Sequence, residues 1–536
     1  MTALGLALFA PATTTTASAT IALGQNPRYV AAPSGNYRGI ELRTIREFLG
    51  IRYAQPPVGA LRWEPPQTAG LPGGLHNATR FGKHCAQNAG AFGQASTSED
   101  CLFLNVFTPP DATNASHLPV MVWIHGGAFT TGESDNYNPD RLVPHGVVVV
   151  TLNYRLGLLG FFAQPALDGE GHPAVNYGLM DQQAALQWVK RNIAAFGGDP
   201  RLTTIFGESA GGLSVYSQLS SPGARDLFSA AIDESGSYQL TLPSLAASET
   251  AGEATAVALG CPSQTAACLR AVPVSTILAT EGPMTVPTVD GTVLPRSPST
   301  AFATGQFHRV PIAAGTNHDE YRLFVAADFD LGPNGPITPA EYPQLIIASL
   351  GQTAGQAVLQ EYPLQNYPSP DLAFATLVTD YIFSCPALES DLAIQRFAPL
   401  YAYEFADENA PEPYLPPVSF PYAAAHASEL QFLWDRFVGS NPQLSPAEIT
   451  LAQTMTTYWT EFATTHQPSV PGLPLWSPFA PTPEDIESLV PPTPGVTHGF
   501  AVDHKCAFWS QLEGGQQQQP SMQRIHDAER RLGLVR

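Results

Sequence analysis

Lysine is almost missing from this chain: of 536 residues only Lys83, Lys190 and Lys505 carry it, and basic residues total 25 against 46 acidic ones. The resulting formal charge of -21 argues against partners that need a basic surface, nucleic acid and anionic membrane alike. Long apolar runs are missing too. Ala3 to Ala10 is an apolar stretch, but it is far shorter than the roughly 20 residues a bilayer-spanning helix needs. No His/Cys pattern has metal-ligand spacing, and nothing in the sequence calls for a metal or another cofactor. Strict polar/apolar alternation is also lacking, which argues against a sheet with one solvated face.

What is present can build a large core. Apolar residues make up 44% of the chain and charged ones 13%, and 51 prolines mark many ordered loops. The length exceeds that at which a single core usually stops growing. Because α/β architectures with large insertions run as one body, one large domain is expected over residues 27–510. Ahead of it, Ala3 to Ala10, a Thr-rich stretch and the small triplet Ala17-Ser18-Ala19 resemble a secretory signal over residues 1–19, although no Lys or Arg precedes the apolar run. Six cysteines, an even number behind such a leader, suggest disulfides and an extracellular location. Cys85 and Cys101 could close a short surface loop, Cys261 and Cys268 a smaller one, and Cys385 with Cys506 would tie the last segment back across a long stretch. Asn77-Ala78-Thr79 and Asn114-Ala115-Ser116 are glycosylation sequons.

Short apolar runs recur at the spacing of an α/β sheet: Pro119 to Ile124, Val147 to Tyr154, Thr203 to Phe206, Ala230 to Ile232, Val310 to Ala314 and Leu400 to Phe405. Runs of this kind are strands buried on both faces, as in a parallel sheet covered by helices. Met180 to Phe196 places Leu186, Val189, Ile193 and Phe196 on one helical stripe, and Gly197-Gly198 stops it. Leu240 to Thr300 and Tyr321 to Pro399 read as helical insertions above the sheet. Past Trp509 the composition changes, and 513–536 is expected to be a flexible extension in which a short helix is allowed.

The run Gly207-Glu208-Ser209-Ala210-Gly211-Gly212 follows an apolar, β-branched strand and precedes a stretch able to start a helix. That is the context of a nucleophile elbow, in which a sharp strand-to-helix turn exposes a serine hydroxyl. An ordinary Gly/Ser turn would also satisfy the pattern, so the surrounding residues decide. A serine needs a general base and an acid to orient it, and on such a sheet the acid and then the histidine follow later in the chain. Gly315-Thr316-Asn317-His318-Asp319-Glu320 comes directly after a strand, with Glu320 as first candidate acid and Asp319 as second. His426, among Ala423, Ala424, Ala425 and Ala427, is the candidate base, with His498 and His504 as rivals. His125-Gly126-Gly127-Ala128 follows the strand ending at Ile124, so the backbone amides of Gly127, Ala128 and Ala210 can converge as an oxyanion hole. Glu208, beside the serine, either adds negative potential near the histidine, faces solvent or forms a structural pair.

Four further runs carry a resemblance: Phe48 to Gly59 (FLGIRYAQPPVG), Glu99 to Asn105 (EDCLFLN), Asn153 to Gly157 (NYRLG) and Phe196 to Pro200 (FGGDP). With the elbow they make the chain, over roughly residues 27 to 510, similar to the type-B carboxylesterase/lipase family. The resemblance implies an α/β-hydrolase fold, a mostly parallel sheet with helices on both faces and large helical insertions. It further implies hydrolysis of a small-molecule or lipid carboxylic ester by Ser209, with Glu320 in a G-x-N-x-D-E run and His426 in an H-x-S-E-L run, and disulfides Cys85–Cys101, Cys261–Cys268 and Cys385–Cys506. The Cys85 to Cys101 loop holds no tryptophan, unlike the cation-π platform of cholinesterases, which disfavours choline esters. Ala128 stands where the common run has a third glycine, and relatives of either form resemble enzymes that accept bulky tertiary-alcohol esters. Alternatives are a secreted lipase with the Cys85 to Cys101 loop as a lid, and a non-catalytic binding protein on the same scaffold. Because His426 must be neutral to act as base, activity is expected to fall on acidification near its pKa, at about pH 6 to 7.

Overall fold

The computed structural model of the chain describes residues 27–70, 74–172, 175–280, 285–437, 443–482, 484–514 and 522–534; the leader expected over 1–19 lies outside them. Its frame is an 11-stranded sheet. In chain order the strands are β1 (Ile40–Glu41), β2 (Arg46–Arg52), β3 (Phe103–Thr108), β4 (Leu118–Ile124), β5 (Val148–Leu152), β6 (Gly198–Glu208), β7 (Ala230–Glu234), β8 (Ile312–Asn317), β9 (Leu400–Phe405), β10 (Ile486–Leu489) and β11 (Gly495–Thr497). Across the sheet they run β11-β10-β9-β8-β7-β6-β4-β5-β3-β2-β1. From β10 to β5 every pairing is parallel, while β11 at one edge and β3, β2 and β1 at the other are antiparallel.

The apolar runs form strands because both faces of the sheet are covered. Val148, Val150, Val120, Val122 and Ile205 face one core, which also takes in Leu186, Val189 and Ile193 from helix α1 (Tyr177–Asn192) and its extension, and Leu213 from α2 (Ala210–Ser220). Their sequence neighbours Val149, Met121, Trp123 and Phe206 face a second core, filled by Leu451, Met455, Trp459 and Phe462 of the long helix α4 (Pro446–Thr465). Alternation by two along each strand thus feeds two apolar cores, which is why no polar alternation is seen.

The expected α1 stripe is buried as read, with the last turn tightened to a 3₁₀ helix over Ile193–Phe196 and stopped by Gly197 at φ 101. Val310 and Pro311 precede β8 rather than opening it. The antiparallel edge strands are additions to the sequence reading. Both expected insertions are helical, and one of their helices is α3 (Glu341–Leu350).

Several residues of the resemblance runs hold the frame. Arg155 Nε and Nη2 make paired 2.8 Å bonds to the two oxygens of Asp181 on α1, and Arg62 makes paired 2.6 Å bonds to Glu99. Disulfides join Cys85 to Cys101, Cys261 to Cys268 and Cys385 to Cys506. The sequon residues Asn77 and Asn114 are exposed. No described helix is long and apolar enough to cross a membrane. Beyond Trp509 the segment expected to extend flexibly contains a helix, α5 (Met522–Arg531), with Met522, Ile525, Ala528 and Glu529 buried. The glutamine tract Gln516 to Gln519 lies outside the described residues.

Candidate active site

In a parallel sheet the carboxyl ends of the strands share one edge, and the loops leaving that edge build a common site. Here β4 ends at Ile124, β6 at Glu208, β7 at Glu234 and β8 at Asn317, in adjacent register: Gly207 pairs with Ile124, Glu208 with Glu234, and Glu234 with Gly315. Ser209 follows β6 at once, with φ 57 and ψ -120, a conformation a non-glycine residue adopts only when the surroundings impose it. Its N–H donates to Glu234 O at 2.8 Å, and its carbonyl accepts from Leu213 N at 2.9 Å. The flanking glycines are needed for contact. A Cβ on Gly207 would stand 2.5 Å from Ile124 O, and one on Gly211 2.0 Å from the same oxygen.

The loop after β8 turns Glu320 back toward the sheet. Its Oε1 accepts from Thr316 Oγ1 at 2.7 Å and Asn317 N at 2.8 Å, and its Oε2 meets His426 Nδ1 at 2.5 Å. The loop carrying His426 is stitched alongside by Asn317 Nδ2 donating to Ala425 O at 2.8 Å and by Asp319 N donating to Ala424 O at 3.0 Å. Ala423 and Ala427 adopt φ 54 and 66, so the small residues around His426 take a tight, positive-φ course. Phe324 and Phe383 flank the imidazole at centroid distances of 5.1 and 5.4 Å.

The competing residues lie elsewhere. Asp319 pairs with Arg322 at 2.7 Å and faces His318. His504 is held between Asp380 at 2.7 Å and Glu404 at 2.8 Å, and His498 lies 3.1 Å from Asp485. Of the candidates weighed from the sequence, Glu320 and His426 are the acid and base that meet, and His426 shares one cavity with Ser209.

Glu208 turns inward rather than to solvent. Its Oε1 lies 3.1 Å from His426 Nε2 without completing an aligned hydrogen bond, and among the described residues no hydrogen bond joins Nε2 to the Ser209 hydroxyl. Around this pair sits a belt of buried carboxyls. Burial pushes Asp233 up to about 8 and Glu429 up to about 7, raises Glu234 well beyond the usual carboxylate range, and raises Glu208 too, there opposed by the charge of His426. For His426, burial works downward, but the charges of Glu208 and then Glu320 outweigh it and push the imidazole up to about 9. The ordinary histidine range expected from the sequence is therefore corrected upward by neighbours contributed from distant strands. Glu234, which accepts from Trp459 Nε1 at 2.7 Å, and Glu429, which accepts from Asn317 Nδ2 at 2.5 Å, were not singled out as site residues. The only signal for Glu429 is its place in the H-x-S-E-L run.

The third component is the turn after β4. Gly127, Ala128 and Phe129 have φ 97, 52 and 58, and the N–H groups of Gly127, Ala128 and Ala210 donate to no acceptor among the described residues. A Cβ on Gly127 would meet Thr131 O at 2.2 Å, and one on Gly126 would lie 3.1 Å from Ser209 Cβ, so glycine lets this turn approach the serine. His125 anchors the turn: its Nδ1 bonds Gly126 O at 2.9 Å, its ring stacks on Tyr154 at 4.5 Å, and burial lowers it to about 4, so it stays neutral.

These parts open on a cavity of about 620 Å³. Ala86, Asn88 and Phe92 of the Cys85–Cys101 loop line it, as do Leu158, Leu159, Ile277 and Leu278. Elsewhere His318, Glu404 and His504 bring potential ligand atoms within 4.8 Å of one another, but the two ring nitrogens of His504 are engaged by Asp380 and Glu404.

Residues 26–509 match the carboxylesterase family. The chain is 36% identical to an acylcarnitine hydrolase of Mus musculus, covering 81% of each protein, and 35% identical to a cocaine esterase of Homo sapiens, covering 87% of each. It is 35% identical to a para-nitrobenzyl esterase of Bacillus subtilis over 82% of this chain and 90% of that one. The solved structure of a thermophilic pNB esterase superposes with a TM-score of 0.76 at 29% identity, covering 90% of this chain and all of the other.

Proposed function

Because the chain belongs to the carboxylesterase family, and so hydrolyses carboxylic esters, we propose that it does so as a serine esterase with Ser209 as nucleophile, His426 as base and Glu320 as the acid that orients it. The observation that carries the proposal is the 2.5 Å contact of Glu320 with His426 Nδ1 beside an elbow serine in the same cavity. With Nδ1 engaged, Nε2 is the nitrogen available for proton transfer.

The imidazole first turns from Glu208 to the Ser209 hydroxyl and takes its proton as the serine attacks the ester carbonyl. The oxyanion that forms is received by the N–H groups of Gly127, Ala128 and Ala210, which donate to no acceptor among the described residues. His426 returns the proton to the departing alcohol, leaving an acyl group on Ser209. Water then attacks the acyl-enzyme by the same route, releasing the acid and restoring the serine.

The catalytic unit spans 27–510, and the protein is exported with residues 1–19 as its leader. The three disulfides are compatible with that location. A panel of p-nitrophenyl esters of increasing acyl length, assayed with the intact protein and Ser209→Ala, tests the assignment. Turnover by the former and none above background by the latter is expected, and equal turnover by both would overturn it.

A further inference from the structure

We propose that helix α5 is a specificity element of the ester site: it supplies one wall of the cavity that holds Ser209 and limits the size of the ester group accommodated there. The inference rests on the reading of this cavity as the ester site. Its starting observation is where the wall comes from. The family match ends at residue 509, yet Met522, Gln523, His526 and Arg530 line the same cavity as Ser209 and His426.

The helix has the pattern for such a role. Met522, His526 and Arg530 recur at intervals of four and so form one stripe along its surface, the stripe that meets the cavity. Ile525, Ala528 and Glu529 are buried on the adjoining face and fix the helix to the body of the protein, where it packs beside α3. Beyond its end Asn334 Nδ2 donates to Gly533 O at 2.8 Å and Leu534 O at 2.9 Å. Glu529 is fully buried, lies 3.0 Å from His526 Nδ1 and faces the buried Tyr321, the residue following Glu320. The wall is therefore seated on the segment that carries the candidate acid.

Its polar groups are fixed by contacts within the helix. Asp527 Oδ1 accepts from Gln523 Nε2 at 2.8 Å and Arg530 Nη2 at 2.7 Å. An ester chain meeting this side of the cavity meets an ordered surface in which Met522 is the apolar member. Without α5 that side loses its boundary, and larger acyl groups gain room. Enlarging α5 has the opposite effect.

The test uses the full chain, a chain ending at Gly514, and full-length Gln523→Trp, each assayed for kcat/KM with p-nitrophenyl acetate and p-nitrophenyl decanoate. The decanoate/acetate ratio is read because it does not depend on the folded fraction. Truncation is expected to raise it at least about tenfold and Gln523→Trp to lower it by a similar factor, the scale set by gaining or losing a few apolar contacts in a pocket. If the truncated chain fails to fold, the tryptophan variant decides alone. Unchanged ratios, with turnover abolished by Ser209→Ala, overturn the role of α5 and leave the ester site standing. Turnover that survives Ser209→Ala overturns the site reading, and this inference with it.

Discussion

Glu208 Oε1 lies 3.1 Å from His426 Nε2, so the residue just before the candidate nucleophile faces the ring nitrogen proposed to receive the serine's proton. The imidazole thus stands between two carboxylates, Glu320 on one nitrogen and Glu208 on the other. Both favour its cationic form.

The pH dependence follows. A general base works only when neutral, and an imidazole pushed up to about 9 gains its neutral form only as pH rises through that region. Activity is expected to climb from neutral toward alkaline pH. Glu208→Gln removes the charge with the largest upward effect and should move the acid limb of kcat/KM down by about one pH unit or more. A limb at the ordinary histidine range in both proteins would show that Glu208 has no such influence.

Ser209→Ala should reduce ester turnover by on the order of 10⁴-fold or more, the loss seen when a triad nucleophile is removed. Unfolding temperature is the control, since among the described residues the hydroxyl makes no hydrogen bond on which the elbow depends.

Glu320→Gln and Asp319→Asn separate the two neighbouring acids. The first removes the charge at His426 Nδ1 and should cost about 10² to 10⁴ in kcat. Asp319 is spent on Arg322 and His318, so its replacement should leave kcat within a few fold. Reversed effects would exchange their roles.

Gly127→Ala tests the turn after β4. At φ 97, with Thr131 O 2.2 Å from the added carbon, the backbone must shift, and its N–H moves with it. A fall in kcat of about 10² to 10³ with little change in KM is expected, because the donor is proposed to act on the oxyanion rather than on the bound ester. A rise in KM alone would place the effect in binding.

Cys385→Ser should lower the unfolding temperature by several degrees. The bond closes 121 residues of chain, for which the chain-entropy account gives about 4 to 5 kcal/mol. An unchanged unfolding temperature under non-reducing conditions would show that it contributes nothing.

Much of the candidate site was legible because it depends on residues with narrow steric roles. Gly207, Gly211 and Gly127 sit where a Cβ would strike backbone oxygen, so the motifs are short and local. Glu320 and His426 follow from chain order once those motifs are found. The acid belt was not legible: Glu234 ends a different strand, and only sheet register brings it beside Glu208. The edge strands escaped for a related reason. In β2 the pairing with β3 shifts between Phe48 and Ile51, and Gly50 there adopts φ 66, so neither a continuous apolar run nor a clean alternation marks it. The raised basicity of His426 is likewise a product of tertiary packing.

The position of α5 beyond the last strand of the sheet has a consequence for when the pocket comes into being. A growing chain that has reached Gly514 already contains the strands, the elbow and both loops that meet at His426, yet the cavity has one side missing. Its shape waits for residues that follow every strand of the sheet in the sequence. If α5 limits the ester group as proposed, changes confined to it alter which esters fit without disturbing any connection between strands of the sheet.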